Sequence, residues 1–297
     1  MRQLQLKAMA KINLGLDVLR RREDGYHDLR MIMQTVQVYD SIRMSATHAE
    51  GIRLRTNLAF LPADKGNLAY RAALLLMEEF HPEGGVFIDL EKHIPVAAGL
   101  AGGSADAAAV LVGMNRLFRL GLTQEDLCER GVLLGADVPY CVVRGTALAE
   151  GIGEKLTRLD PIPECFIVLA KPDVRVSTKT VYTSLHLDRD TVHPDIDGQL
   201  EAIRKGDLEG LCSRCGNVLE SVTVPMHPVI ARVRDTMREG GALAAMMSGS
   251  GPSVFGIFRE RKDAEEVFTR LRAERDRMQV FVTRPFQPAS GKTGSRG

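Results

Sequence analysis

From residue 95 the chain reads Pro95, Val96, Ala97, Ala98, Gly99, Leu100, Ala101, Gly102, Gly103, Ser104 and Ala105, then passes into an alanine-rich apolar segment. The three glycines free the backbone to turn its N–H groups inward. A helix starting there adds unpaired N–H donors and about half a positive charge at its first turn. The chemistry suited to such a stretch is the holding of an anion, phosphate above all. Ser104 is placed to cap the helix, with Asp106 in the first turn, where negative charge is favoured. Two familiar phosphate motifs are excluded: no Lys-Ser/Thr follows the second glycine, and no Gly-x-Gly-x-x-Gly opens here. A small-residue turn that lets a helix pack closely on a sheet has the same composition, so the stretch alone leaves both readings open.

Other side chains suited to chemistry lie elsewhere. Lys11 and Asn13 interrupt an apolar strand pattern, and a lysine there either snorkels to solvent or is held for its charge. Tyr26 and His27 follow a charged turn ending in Asp24 and Gly25. A hairpin explains the turn but not the ring beside a hydrogen-bonding imidazole, which is what a planar base requires. Asp137 is a lone carboxylate between small and apolar residues, at a break where Asp also serves as an ordinary turn residue. A late glycine cluster, Ser248, Gly249, Ser250, Gly251 and Pro252, reads as a tight hairpin turn or as a second set of N–H groups for phosphate. Cys212 and Cys215 form a lone Cys-x-x-Cys without the other two ligands of a zinc site, and read as structural.

These residues must be positioned by a chain of 297 residues, 44% hydrophobic and 26% charged, which is ordinary globular composition; the length predicts two domains. A net charge of +1 argues against a broad nucleic-acid surface. No apolar run reaches membrane-spanning length, and residues 1–19 lack the continuous apolar core of a secretory signal. Five cysteines, an odd number, fit reduced thiols in a cytoplasm, with Cys128, Cys141 and Cys165 in apolar, core-like surroundings.

Periodicity predicts strands over 4–19, 28–38, 86–90, 140–144, 166–170, 242–247, 254–258 and 279–283, with strand and turn over 145–153. Helices are predicted over 68–80, with Asn67 as cap, from Ser104 to about 120, and from a Thr123 cap to about 134. Further helices are predicted from Ser177, over 199–205, from 208 to 212 and onward, and over 228–239 and 262–278. Pro161 and Pro163 mark a domain boundary, 186–198 reads as a surface loop, and 287–297 is expected to be disordered.

Taken together, an early lysine, the Pro-x-x-x-Gly-Leu-x-Gly-Gly-Ser-Ala stretch and the late glycine turn resemble the GHMP kinase family over most of the chain. Ala10-Lys11-Ile12-Asn13-Leu14, Asp24-Gly25-Tyr26-His27, Leu134-Gly135-Ala136-Asp137-Val138-Pro139 and Met247-Ser248-Gly249-Ser250-Gly251-Pro252 fall in the order and approximate spacing of one branch. In that branch the acceptor alcohol is linked to cytidine diphosphate. The Asp-Gly-Tyr-His element discriminates best. The resemblance implies an α+β fold of two domains. Residues 1–162 would form an ATP-binding domain with a left-handed βαβ unit like ribosomal-protein domain 2, and 163–286 a ferredoxin-like α/β sandwich. It implies ATP-dependent phosphorylation of the 2-hydroxyl of a cytidine diphosphate-linked polyol in non-mevalonate isoprenoid synthesis. The alternatives are a mevalonate- or homoserine-type kinase, or a non-catalytic nucleotide-binding module.

Site roles follow from the same resemblance. Asp137 would accept the proton of the substrate hydroxyl, or only orient that hydroxyl, while Lys11 keeps the carboxylate ionised and offsets charge on the γ-phosphoryl. Tyr26 and His27 would hold the cytosine ring, with Tyr182 on its other face, and Asn13 and Thr178 would meet the acceptor. Asn67 would fall in the adenine pocket, residues 95–105 would wrap the ATP phosphates, and Ser248, Gly249 and Gly251 would lie near them. Mg2+ is implied by ATP use, held by phosphates and water with Ser104 as a contributor, since no dedicated carboxylate cluster is visible. Many members carry more glycines than Val96-Ala97-Ala98-Gly99-Leu100-Ala101, so a stiffer loop is expected here.

Overall fold

The computed structural model describes residues 2–274 and 277–288. The first half runs β1 (Gln3–Arg21), β2 (His27–Thr47), β3 (Gly51–Thr56), α1 (Leu68–Phe80), β4 (Gly85–Glu91), α2 (Gly102–Phe118), α3 (Gln124–Val132), α4 (Val138–Val143), β5 (Thr146–Gly151) and β6 (Lys155–Arg158). The second runs β7 (Phe166–Pro172), α5 (Thr178–Ser184), α6 (Ile196–Lys205), α7 (Leu208–Cys212), β8 (Gly216–Asn217), α8 (Glu220–Met226), α9 (Val229–Glu239), β9 (Ala244–Met247), β10 (Val254–Phe258), α10 (Arg261–Ala273) and β11 (Met278–Thr283).

Two sheets result. The larger has the order β3-β4-β2-β1-β8 with β5 and β6 added on β2, and the smaller is β11-β7-β10-β9. The two sheets share an apolar core: Ile12, Leu14, Ile32 and Val36 of the larger pack with Ile167, Leu169, Phe255 and Ile257 of the smaller. The opposite face of the larger sheet packs on α1 and α2, and that of the smaller on α9 and α10. β1 is therefore buried on both faces, which is why its apolar residues run nearly without a break. Among the described residues no helix is long and apolar enough to cross a membrane.

The β1–β2 pairing shifts register between Met9 and Lys11 and again between Asn13 and Gly15. The first shift puts two extra residues in β2 and the second puts one in β1, and across each the β1 side chains change face. Ala8 and Leu16 accordingly pack with the α1–α2 side, whereas Ala10, Ile12 and Leu14 between the bulges pack against the smaller sheet. Lys11 and Asn13 are thereby directed away from the smaller sheet, toward the cleft that they line.

Several expectations hold closely. Helix α1 begins at Leu68 with Asn67 Oδ1 accepting from Ala69 N, and Thr123 and Asp126 form a reciprocal capping box at α3. Others are corrected. Of residues 140–144, expected as a strand, 140–143 belong to α4 and Arg144 ends it, because Pro139 pre-sets a first helical turn and a short apolar run does not distinguish buried helix from buried strand. Helix α2 starts at Gly102 after a left-handed Ala101, so Ser104 is inside its first turn without a capping bond, and Asp106 is buried beyond it. The 186–198 loop gives way to α6 at Ile196, and α10 ends at Ala273, where 262–278 was expected as helix. Of the expected disordered tail, Gln287 donates from Nε2 to Thr146 Oγ1 at 2.8 Å, while 289–297 lie outside the described residues.

Candidate active site

The bulged segment of β1, the loop before α2, the start of α4, the β1–β2 turn, α5 and the late glycine turn enclose one cleft of about 800 Å3. Lys11 and Asn13 line it together with Asp137, and Lys11 is only 5% exposed. Lys11 Nζ donates to Asn13 Oδ1 at 2.8 Å and lies 4.0 Å from Asp137 Oδ2. The Lys11 backbone N–H donates to Leu100 O at 3.1 Å, which ties the strand to the glycine loop. The lysine is thus held for its charge, and does not snorkel to solvent. Asp137 precedes α4 without making a side-chain cap, so its carboxylate, 34% exposed, is left for the cleft.

The two glycine segments meet. Ser248 Oγ donates to Gly99 O at 3.0 Å, and Ser253 N donates to Ala98 O. Gly99 has φ +74°, and a Cβ there would come 2.2 Å from Ser248 O; only glycine permits this approach. Gly249, at φ +58°, would place a Cβ 3.6 Å from Lys11 Nζ. Asn217 of β8 fixes the turn by donating from Nδ2 to Met247 O and Gly249 O at 2.9 and 2.8 Å.

The expected residues separate into three groups. Ala97, Ala98, Gly99, Ala101, Gly102, Gly103, Ser104, Thr178 and Gly249 line the main cleft. Asn67, Pro95 and Val96 line an adjoining cavity of about 210 Å3, which shares Ala97, Gly102 and Gly103 with the cleft wall. The Asn67 side chain there also donates to Pro62 O at 2.9 Å, so both ends of its amide hold local structure. Leu100, Ala105, Ser248 and Gly251 are buried behind these walls; Ser250 lines the cleft instead, its hydroxyl 2.8 Å from that of Thr178.

The aromatic group departs from the expected arrangement. The His27 and Tyr182 ring centroids are 5.2 Å apart at an interplanar angle of 37°, within ordinary aromatic contact, so the two rings touch each other rather than stand apart for an intervening base. Tyr26 lines the cleft with 60% of its surface exposed. Burial, and then the Arg21 charge, hold the His27 imidazolium below its ordinary range, which favours a neutral ring. Burial and then the Asp137 charge push the Tyr182 hydroxyl up.

Under the adjoining cavity, Asp40 and Lys92, which sequence reasoning missed, join Asp106, which it placed only in a helix turn. Lys92 Nζ pairs with Asp40 Oδ2 and, at 2.6 Å, with Asp106 Oδ2, all three side chains being nearly inaccessible. Asp40 Oδ1 also accepts from His93 N and Ile94 N. Burial works against the Lys92 ammonium, yet Asp106 and Asp40 outweigh it and keep it above the ordinary lysine range. Burial, reinforced by the Asp40 charge, raises the Asp106 carboxyl. Asp106 Oδ1 is buried without a hydrogen-bond partner among the described residues. The only sequence signal was a single acid in the alanine-rich start of α2.

The family model for the GHMP kinases N terminal domain matches residues 67–145, which span the glycine loop, α2 and Asp137, and that for the GHMP kinases C terminal matches 199–276. A 4-diphosphocytidyl-2-C-methyl-D-erythritol kinase from Lachnospira eligens is 54% identical, covering 97% of this chain and 100% of the relative. The chain belongs to the 4-diphosphocytidyl-2-C-methyl-D-erythritol kinase family of GHMP kinases. A crystal structure of 4-(cytidine 5'-diphospho)-2C-methyl-D-erythritol kinase superposes with a TM-score of 0.82 at 34% identity, covering 96% of this chain and 100% of that one. A homoserine kinase from Cytophaga hutchinsonii gives a TM-score of 0.79 at 19% identity over 95% of each chain, a likeness of fold alone. The fold is the two-domain α+β architecture of the GHMP kinases.

Proposed function

We propose that this chain transfers the γ-phosphoryl of ATP to the 2-hydroxyl of 4-diphosphocytidyl-2-C-methyl-D-erythritol, a step of non-mevalonate isoprenoid synthesis. The observation that carries the reading is the pairing of Lys11 with Asp137 in one cleft with a glycine loop at one side and Tyr26, His27 and Tyr182 at the other. The glycine loop, Ser248, Gly249 and Gly251 hold the donor phosphates, with Asn67 beside the adenine. Asp137 takes up or orients the hydroxyl proton. Lys11 sits between that carboxylate and Gly249, where its charge offsets both the aspartate and the transferred group. Asn13 and Thr178 meet the acceptor alcohol, and Tyr26 with the contiguous His27–Tyr182 ring pair gives the base a surface to stack on.

ATP use brings a divalent cation, and the chain's donors fit one. Ser104 Oγ has no hydrogen-bond partner among the described residues, and the orphaned Asp106 Oδ1 belongs to a carboxylate on the wall of the cavity beside Gly102 and Gly103. No group of three or more His, Cys, Asp or Glu able to hold a metal occurs among the described residues, so phosphates and water supply the remaining ligands. A bound Mg2+ supplies charge neutralisation across the transferring phosphates. Residues 1–162 and 163–286 are taken as the two domains, and the cytoplasm, where the five free thiols stay reduced, as the compartment.

ADP release with and without the cytidylyl acceptor tests the assignment, and equal rates would sink it. Tyr26→Ala is expected to raise the acceptor KM; a mevalonate- or homoserine-type kinase would be indifferent to it.

A further inference from the structure

Two cations in the cleft have no part in the chemistry above. At the end of β1 successive side chains alternate in direction. Arg20 pairs with Asp28 at 2.6 Å, and Arg22 pairs with Asp24 at 2.8 Å and Asp28 at 3.2 Å. Arg21, between them, has no ion pair among the described residues and lines the cleft beside His27. Lys179 of α5 likewise has no ion pair among the described residues and lines the same cleft. It stands three residues before Tyr182, the spacing that puts both on one helix face. Each member of the His27–Tyr182 ring pair therefore has an uncompensated cation next to it.

The charge count of the cleft gives these cations a ligand. Its lining carries Lys11, Arg21 and Lys179 as cations and Asp137 as the carboxylate. Lys11 and Asp137 offset each other, which leaves Arg21 and Lys179 in excess. A doubly esterified diphosphate carries one negative charge on each phosphate, and it is the group that separates a nucleoside base from an attached polyol. We propose that Arg21 and Lys179 grip the diphosphate of the acceptor and are the residues that select a diphosphate-linked alcohol over a neutral one. The inference rests on the acceptor proposed above. The donor phosphates have their own cradle of backbone N–H groups on the other wall, so the two sets of phosphates are held by different means.

Calorimetric titration with CDP-glycerol, cytidine and adenylyl imidodiphosphate tests this in the wild type, Arg21→Gln, Lys179→Gln and the double variant. The wild type is expected to bind CDP-glycerol about a hundredfold more tightly than cytidine. Each single substitution should weaken CDP-glycerol about tenfold and leave cytidine unchanged, and the double variant should bind the two alike. Arg22→Gln, on the ion-paired side of the strand, should keep the wild-type preference. A preference for CDP-glycerol that survives in the double variant overturns the proposal, as does weakening of the ATP analogue in place of CDP-glycerol. The two readings fail separately. Acceptor-dependent ADP release with a preference indifferent to both substitutions removes the pair and leaves the function. A preference lost in the double variant without acceptor-dependent ADP release in the wild type removes the function and leaves the pair.

Discussion

Lys11 Nζ stands 4.0 Å from Asp137 Oδ2 while donating at 2.8 Å to Asn13 Oδ1, so the ammonium is held beside the carboxylate without being locked to it. That leaves both groups able to close on a substrate hydroxyl and a phosphoryl oxygen. Asp137→Asn is expected to lower kcat by about a hundredfold to ten-thousandfold, with affinity for an ATP analogue kept within about threefold. Unaltered turnover would remove Asp137 from the reaction.

Gly99→Ala introduces a methyl group 2.2 Å from Ser248 O at a backbone conformation that side chains rarely adopt. The atoms it would meet, on Ser248 and Gly251, are all backbone and not the end of a flexible side chain, so the glycine loop must shift off the late turn. We expect a loss of about 1–3 kcal/mol in urea unfolding together with weaker binding of adenylyl imidodiphosphate. Unchanged stability and affinity would show that the two segments are not coupled.

Lys92→Met leaves Asp40 and Asp106 facing each other in a site closed to water. Removing one partner from a buried ion cluster costs about 3–5 kcal/mol, and that loss is expected in equilibrium unfolding. A change below about 1 kcal/mol would mean that the cluster is solvated in solution.

His27 is held below its ordinary 6.5 by burial first and by Arg21 second. Because the folded chain binds that proton less readily than the unfolded one, His27 opposes folding increasingly as pH falls below about 6.5, until the folded midpoint is reached. A proton NMR titration should give a His27 midpoint under 6.5 in the wild type and a higher one in Arg21→Gln. An identical midpoint in the two proteins would contradict the placement of Arg21 beside the ring.

Local signals were legible wherever partners are close in sequence. Asn67 capping α1 and the Thr123–Asp126 box were readable because a cap and its acceptor lie within one turn. The glycine loop, Lys11 and Asp137 were legible as residue types out of keeping with their neighbours. The bulges that turn Lys11 and Asn13 into the cleft were not, since a bulge is a property of the pairing with β2 and leaves the composition of β1 unchanged. Nor was the Asp40–Lys92–Asp106 cluster, whose members come from β2, the segment after β4 and α2, with the two acids 66 positions apart. The contact between the His27 and Tyr182 rings likewise needed α5 to fold back over the β1–β2 turn.

The bond from Ser248 Oγ to Gly99 O joins residues 149 positions apart. During synthesis the loop that holds the donor phosphates therefore emerges from the ribosome long before its brace. At about 5–20 residues per second it waits roughly 7–30 seconds for Ser248 to be made. A nascent chain stalled before the late glycine turn is a kinase with an unfinished wall, and nucleotide retention by ribosome-bound chains should begin only once that turn has cleared the exit tunnel.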